Sequence, residues 1–213
     1  MAKKNKYYVV WQGKEPGIYD DWDKCNKQIS GFNDAKYKGF ATKEEAELAF
    51  AGSWEEYYSP AVRQKVAEKN LLLLPESDRP QYPSLAVDAA CSGNPGLMEY
   101  RGVDAKTCKE IFHQGPFECG TNNIGEFLAI VHGLALIKQK NANVLLYSDS
   151  MTAQSWVKQK KCKTKLEENS KNHKLFELIR RAEKWLNENS YSTHILKWNT
   201  EKWGEIPADF GRK

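Results

Sequence analysis

Short runs of β-branched and aromatic residues alternate with stretches of helical periodicity along the whole chain. Near the start, residues 7–11 (YYVVW) and 17–19 predict two strands, and residues 36–40 predict a third, short extended segment. Residues 84–88 (SLAVD) begin the second half with an apolar strand. Gly93, Pro95 and Gly96 then turn the chain, because glycine accepts positive φ and proline presets its own.

Helix signals separate the strands of the first fifty residues. Asp21 or Asp23 can cap a helix that Gly31 ends, and Thr42 with Glu45 forms a capping box that begins a second helix. These elements predict a small α/β module over residues 5–51.

The second half of the chain repeats the alternation on a larger scale. Further strands are predicted at residues 97–103, 110–113, 144–148 and 191–198. Helices are predicted at residues 124–139, after Ser150, along an amphipathic stretch through Leu175 and Leu186, and from Pro207. These elements predict an α/β domain over residues 81–213.

A proline-bounded, charged segment separates the two halves. Residues 75–80 (PESDRP) read as a tether, and Pro60 can start a short helix at residues 61–69. We therefore expect a linker over residues 52–80 between the two domains.

Composition narrows the class of protein. The chain has 213 residues, 40% of them hydrophobic and 28% charged, with a net charge of +4, which is typical of an ordinary globular protein. Five scattered cysteines without a CxxC pair argue against a disulfide framework and a zinc site, so we expect no disulfide partner. The basic N-terminus lacks the apolar run of a signal peptide, and no apolar run is long enough for a bilayer. We expect a soluble, cytoplasmic protein without a membrane partner.

Four acids, with Glu205 beside the last of them, stand at positions where α/β proteins build sites, although the first three each have a simpler explanation. Asp88 lies in an apolar strand, where it could merely cap the next turn, and Glu126 lies near a helix start, where it could merely complement the helix dipole. Asp149 follows a strand and could be only a helix cap. Glu205 is expected on a loop before Pro207, and Asp209 on a short terminal helix. If the acids converged, divalent cations such as Mg²⁺ would have to offset their repulsion.

Aromatic and basic residues form two candidate nucleic-acid surfaces. In the first module, the candidates are Tyr8, Trp22, Lys36, Tyr37 and Lys38, which can equally be core residues. In the second domain, residues 158–184 are markedly basic. A solvated helix face explains much of that charge, but the lysines at residues 158–165 are dense enough to suggest phosphate contact.

The first module resembles the RNA/DNA hybrid-binding domain found at the N-terminus of many type 1 ribonucleases H. The resemblance rests on residues 8–11 (YVVW), 17–19, 28–29, 31–32, 35–38 (AKYK) and 42–46 (TKEEA), with Trp22. It implies that Tyr8, Trp22, Tyr37 and Lys38 contact the hybrid, with Lys36 beside them. This chain has Gly39 where a second basic residue often follows, which implies weaker affinity.

Residues 84–96, 120–129 (GTNNIGEFLA), 147–150 (YSDS) and 202–209 (KWGEIPAD) resemble, in this order, the catalytic domain of bacterial ribonucleases H of the Bacillus type. The resemblance implies a ribonuclease H-like fold, with a five-stranded mixed sheet flanked by helices. It implies that Asp88, Glu126, Asp149 and Asp209 bind two Mg²⁺ or Mn²⁺ ions, and that Glu205 assists metal exchange or product release.

The same resemblance implies a substrate and the residues that hold it. The expected reaction is endonucleolytic hydrolysis of the RNA strand of an RNA/DNA hybrid, leaving 5′-phosphate and 3′-hydroxyl ends, by a monomer. Met151 departs from the pattern, since close relatives have glutamine there. The residues expected at the hybrid are Asn94, Asn122 and Asn123 in the minor groove, and Thr121, Trp156, Thr164, Lys165 and Lys197 along the DNA strand.

Overall fold

The computed structural model describes residues 6–58, Leu71 and residues 74–211. The chain divides into two compact units, Met1–Leu73 and Leu74–Lys213. The helix predicted at residues 61–69 lies outside the described residues. Among those described, no helix is both long and apolar enough to cross a bilayer. The domain limits at residues 5–51, 52–80 and 81–213 stay predictions.

The first unit is a three-stranded antiparallel sheet with helices. Its sheet has the order β2-β1-β3, and the register pairs Val9 of the central strand with Ile18 on one side and Lys38 on the other. Val9 packs with Ala46 and Ala49 in the core of this unit. The elements are β1 (Tyr7–Gln12), β2 (Gly17–Tyr19), α1 (Trp22–Ile29), β3 (Lys36–Phe40), α2 (Lys43–Ala51) and α3 (Trp54–Tyr58).

The predicted helix starts of this unit are confirmed. The Asp21 carboxylate accepts hydrogen bonds from the backbone N–H groups of Asp23 and Lys24 and caps α1. Thr42 and Glu45 form the capping box of α2. Tyr57 of α3 lies in the range predicted as linker, and its ring stacks on Trp11 at 5.2 Å.

The second unit contains a five-stranded mixed sheet, as predicted, and its strand order is β6-β5-β4-β7-β8. Strands β4, β5 and β6 form an antiparallel meander, whereas β4, β7 and β8 pair in parallel. The strands are β4 (Ser84–Gly93), β5 (Gly96–Asp104), β6 (Glu110–Gly120), β7 (Leu145–Ser148) and β8 (Ile195–Lys197). The helices are α4 (Asn122–Gln139), α5 (Met151–Lys158), α6 (His173–Glu188) and α7 (Thr200–Trp203).

The α4 helix is the centre of the main core. Its apolar side chains pack with Leu85, Val87 and Ala89, which alternate onto one face of β4. Burying each large side chain contributes about 1.5–3 kcal/mol, so the position of α4 on β4 is strongly determined. A Cβ at Gly125 would lie 2.6 Å from the Ala89 Cβ, so only glycine permits this close approach. The next residue, Glu126, is thereby held near β4.

In the second unit, the strand predicted at residues 110–113 was predicted too short, because β6 continues to Gly120. The Gly115-Pro116 pair looks like a break, but β6 is an edge strand, where the missing proline N–H needs no partner. Register shifts along the β5–β6 pair accommodate the extra residues.

Three predictions near the site were also wrong. The last strand was predicted at residues 191–198 but covers only Ile195–Lys197. The α4 helix begins at Asn122, so Glu126 lies beyond the first turn, where the dipole no longer explains an acid. Residues 207–209 form no helix: the Asp209 N–H donates to the Ile206 carbonyl at 2.8 Å, which closes a single turn.

Candidate active site

Three carboxylates from different elements converge at one place in the second unit. Asp88 lies on β4, Glu126 on α4 and Asp149 directly after β7, and each offers an oxygen within 4.8 Å of the others. Because β4 and β7 are parallel neighbours and α4 packs on β4, the sheet register brings the three acids together. Asp88 and Glu126 are buried, and Asp149 is half-buried.

Asp209 lines the same cavity of about 280 Å³ as these three acids, but it stands outside the close trio. Glu205, four residues earlier, is exposed on a bend. The structure therefore brings Asp88, Glu126 and Asp149 into one cluster, with Asp209 at the cavity wall. Asn122 and Phe210 also line this cavity.

Burial and mutual repulsion disfavour ionisation of the cluster. Burial, and then the charge of Asp149, raises the pKa of Asp88 to about 8. Burial also raises the pKa of Glu126, although a hydrogen bond from Ser150 opposes the rise. Desolvated carboxylates of this kind become stable as anions when a cation neutralises them. A donor set made only of carboxylate oxygens fits a hard divalent cation such as Mg²⁺.

Polar neighbours hold two of the acids in place. The Asn122 amide donates to Glu126 Oε1 at 2.9 Å, and Lys197 Nζ donates to the backbone carbonyl of Asp149. The Gln154 amide supports the end of β7 by donating to the Ser148 carbonyl at 3.0 Å. Sequence reasoning missed Gln154, which lies on α5 and carries no motif.

The residues expected to contact substrate lie in different surroundings. Asn94 is exposed in the β4–β5 hairpin, and Thr121, Asn122 and Asn123 lie at the start of α4. The Trp156 ring is half-buried and packs edge-on against Phe127 at 6.3 Å, so it also belongs to the core. Farther along the chain, Lys165 is exposed, and the Thr164 hydroxyl accepts from the Leu166 N–H at 3.1 Å.

In the first unit, the aromatic and basic candidates separate. The Trp22 ring lies 5.3 Å from Tyr8 and 5.9 Å from Tyr37, and 42% of Trp22 is exposed. Side chains alternate along β3, so Lys36 and Lys38 project from the opposite face to Tyr37.

The two lysines lie over other rings. Lys36 Nζ is 5.2 Å from the Trp54 ring centroid, and Lys38 Nζ is 5.7 Å from that of Tyr57. The five candidates therefore form an aromatic cluster (Tyr8, Trp22 and Tyr37) on one face of the sheet and a basic pair (Lys36 and Lys38) on the other.

Family comparisons match both halves of the chain. A family described as "Ribonuclease H1 N-terminal domain" matches residues 6–50, and a family described as "RNase H" matches residues 81–200. The first match covers the small antiparallel sheet. The second covers the mixed sheet and the three clustered acids.

Individual relatives agree with these matches. The chain is similar to a ribonuclease H of Legionella pneumophila (strain Corby), with 34% identity over 54% of this chain and 79% of that protein. A ribonuclease H of Crithidia fasciculata is 49% identical over 43 residues, which are 20% of this chain but only 9% of that protein. Among solved structures, RNase H1 of Halobacterium salinarum NRC-1 aligns with 56% of this chain and 89% of its own, at 19% identity and a TM-score of 0.36.

Proposed function

Because this chain belongs to the ribonuclease H family, we propose that it cleaves the RNA strand of RNA/DNA hybrids. The cleavage is endonucleolytic and leaves 5′-phosphate and 3′-hydroxyl ends. The observation that carries this proposal is the convergence of Asp88, Glu126 and Asp149 within 4.8 Å in an open cavity. A non-catalytic protein would have no need to bury acids that repel each other.

The proposal includes two divalent ions, Mg²⁺ or alternatively Mn²⁺, held by Asp88, Glu126, Asp149 and Asp209. Such ions, when bound, favour ionisation of water and stabilise the charge of a leaving oxygen. The chain's own groups orient the acids: Asn122 holds Glu126, and Lys197 holds the peptide carbonyl of Asp149. Burial keeps bulk water from screening the charges of these acids.

Residues of the second unit are proposed to hold the hybrid. Asn94, Asn122 and Asn123 would contact the minor groove, where the 2′-hydroxyl distinguishes RNA from DNA. Thr121, Trp156, Thr164, Lys165 and Lys197 would contact the DNA strand. In line with the resemblance to Bacillus-type enzymes, the exposed Glu205 would assist metal exchange or product release.

We further propose that the first unit binds the hybrid and that the protein acts as a cytoplasmic monomer. The match to the ribonuclease H1 N-terminal domain and the exposed Trp22 support the binding role. Aromatic rings that stack on sugars or bases do so with little sequence preference, which suits a module that holds any hybrid.

The deciding experiment is cleavage of an end-labelled RNA/DNA hybrid by the full chain with Mg²⁺. We expect cleavage within the RNA strand and none in the Asp149→Asn variant, which serves as the inactive control. Binding without cleavage by the wild type would indicate a non-catalytic hybrid-binding protein. Equal cleavage of double-stranded DNA would indicate a DNA nuclease of the same superfamily. Either result would overturn the proposal.

The Trp22→Ala substitution should weaken hybrid binding by about fivefold or more, because stacking on an aromatic ring contributes about 1–3 kcal/mol per base in single strands and the paired bases of a hybrid leave mainly the sugars to stack on Trp22. Processivity should fall with it, whereas the single-turnover cleavage rate at saturating enzyme should barely change. Fluorescence anisotropy with a labelled hybrid measures the binding. Phe32→Ala is the matched control, since Phe32 is another exposed aromatic residue of the same unit. Unchanged binding by Trp22→Ala would assign the aromatic cluster to packing alone.

A further inference from the structure

Asp209 reaches the cavity without the support of a helix or strand. The chain leaves α7 at Trp203, and residues 207 and 208 form a turn. Within this turn, the Asp209 N–H donates to the Ile206 carbonyl at 2.8 Å. One turn does not fix where a segment lies on a sheet, so long-range contacts must position Asp209 relative to the other acids.

Arg101 supplies such contacts from β5. The β4–β5 register pairs Arg101 directly with Asp88, so both side chains project from the same face of the sheet. From there, Arg101 Nε donates to the Ala208 carbonyl at 2.9 Å, and Arg101 Nη2 donates to the Asp209 carbonyl at 2.7 Å. One planar guanidinium therefore donates hydrogen bonds to two consecutive peptide carbonyls, which lie more than a hundred residues away in sequence.

Further contacts immobilise the guanidinium. Its Cζ lies 4.6 Å from the centroid of the Phe210 ring, a cation–π geometry, and its Nη1 lies 3.7 Å from Glu110 Oε2. Arg101 thus contacts residues 208, 209 and 210 in succession. A lysine could not reproduce this arrangement, because an ammonium group lacks the planar fork that donates in parallel and stacks on a ring.

We infer that Arg101 is the positioning residue for Asp209, and that it thereby sets the affinity of the cavity for divalent cations. The inference rests on the proposed function, since it takes Asp209 as a metal ligand. Arg101 itself acts only through the backbone that carries this ligand. Residues that orient metal ligands from outside typically change metal affinity or activity by 10–100-fold when they are replaced.

The test uses the full chain with Arg101→Met and Arg101→Lys. We expect the Mg²⁺ concentration that gives half-maximal cleavage to rise about tenfold or more in Arg101→Met. Arg101→Lys should raise this Mg²⁺ concentration almost as much, because lysine keeps the positive charge but lacks the planar fork of the guanidinium. The KM for the hybrid should change less than twofold. Titration calorimetry with Mg²⁺ alone should show the same loss of affinity, without any cleavage being measured.

Arg79→Met is the matched control. Arg79 Nε also donates to a backbone carbonyl, that of Leu74, at 2.9 Å, but not at the cavity. Its loss should leave the Mg²⁺ requirement unchanged. Thermal unfolding of all variants separates a loss of stability from a loss of metal affinity.

Asp209→Asn provides the coupling test. If Arg101 acts through Asp209, Arg101→Met should weaken Mg²⁺ binding no further once Asp209→Asn is present. Additive losses, or an unchanged Mg²⁺ requirement in an Arg101 variant that still cleaves hybrid, would overturn the inference while the proposed function stood. A wild type whose Mg²⁺ affinity depends on Arg101 but which never cleaves hybrid would overturn only the function.

Discussion

Replacing Asp88 with asparagine is expected to reduce hybrid cleavage by about a thousandfold or more. Asp88 is the most deeply placed acid of the trio, with 7% of its surface exposed, and it offers an oxygen within 4.8 Å of oxygens of Glu126 and Asp149. Asparagine preserves the shape and can still accept the hydrogen bond from the Ala89 N–H, but it removes the negative charge. Metal-assisted charge stabilisation contributes several kcal/mol, and each loss of about 1.4 kcal/mol lowers the rate tenfold.

Single-turnover cleavage at saturating enzyme measures this effect, because it separates chemistry from binding. The matched control is Asp104→Asn on the neighbouring strand β5. Asp104 binds the Thr107 N–H and hydroxyl at 2.8 Å each and lies away from the cavity, so its replacement should leave the cleavage rate intact. A rate for Asp88→Asn within tenfold of the wild type would remove Asp88 from the catalytic group.

Local signals were sufficient to predict the elements that carry the site, but not its assembly. The apolar alternation of β4 and the periodicity of α4 are visible in the sequence. The approach of these two elements depends on Gly125, whose missing side chain creates no periodic pattern. The convergence of Asp88 and Asp149 depends on the parallel β4–β7 register, which joins segments about sixty residues apart. At the sequence level, only family resemblance predicted that the acids converge.

Arg101 and the two lysines of β3 illustrate the same limit. Arg101 looks like an ordinary charged residue of a half-exposed strand, and its role depends on lying opposite Asp88 in the ladder. Lys36 and Lys38 stand next to Tyr37 in sequence, which led to the prediction of one mixed face. The alternation of side chains along the strand places the two lysines on the opposite face to Tyr37, and α3 supplies the rings over which both lysines lie. Because residues 36–40 were already predicted to be extended, the sequence alone could have placed the lysines and Tyr37 on opposite faces.

Burial of Asp88 predicts that the metal-free protein loses stability as the pH rises from 5 to 8. The pKa of Asp88 is about 8 in the folded chain, because of burial and then the charges of Asp149, Glu126 and Asp209, against an ordinary value of 3.8. Between these two values the folded state keeps a proton that the unfolded state releases. The free energy of unfolding therefore falls with pH, by at most about 1.4 kcal/mol per pH unit from this group. Glu126, whose pKa is also raised, contributes in the same direction.

Urea unfolding of the EDTA-treated full chain at pH 5, 6, 7 and 8 measures this slope, with Asp88→Asn as the comparison. Across this range we expect the wild type to lose up to about 4 kcal/mol more than the variant, which should be the more stable protein at pH 8. In Asp104, burial disfavours the anion, but hydrogen bonds from Thr107 outweigh it and lower the pKa. Asp104→Asn should therefore leave the slope between pH 5 and 8 unchanged, since that stabilisation is lost only at lower pH.

Adding Mg²⁺ at pH 8 completes the test, because an ion that binds only the folded state stabilises it in proportion to the logarithm of its concentration. We expect Mg²⁺ to restore most of the stability that the wild type loses between pH 5 and 8, and to have little effect on Asp88→Asn. The residue most important for cleavage would then be the one that most destabilises the metal-free fold. Equal slopes of the free energy of unfolding against pH for the wild type and Asp88→Asn would show that Asp88 is already ionised in the folded chain. The destabilisation caused by burying these acids together would then have to come from other acids of the cluster.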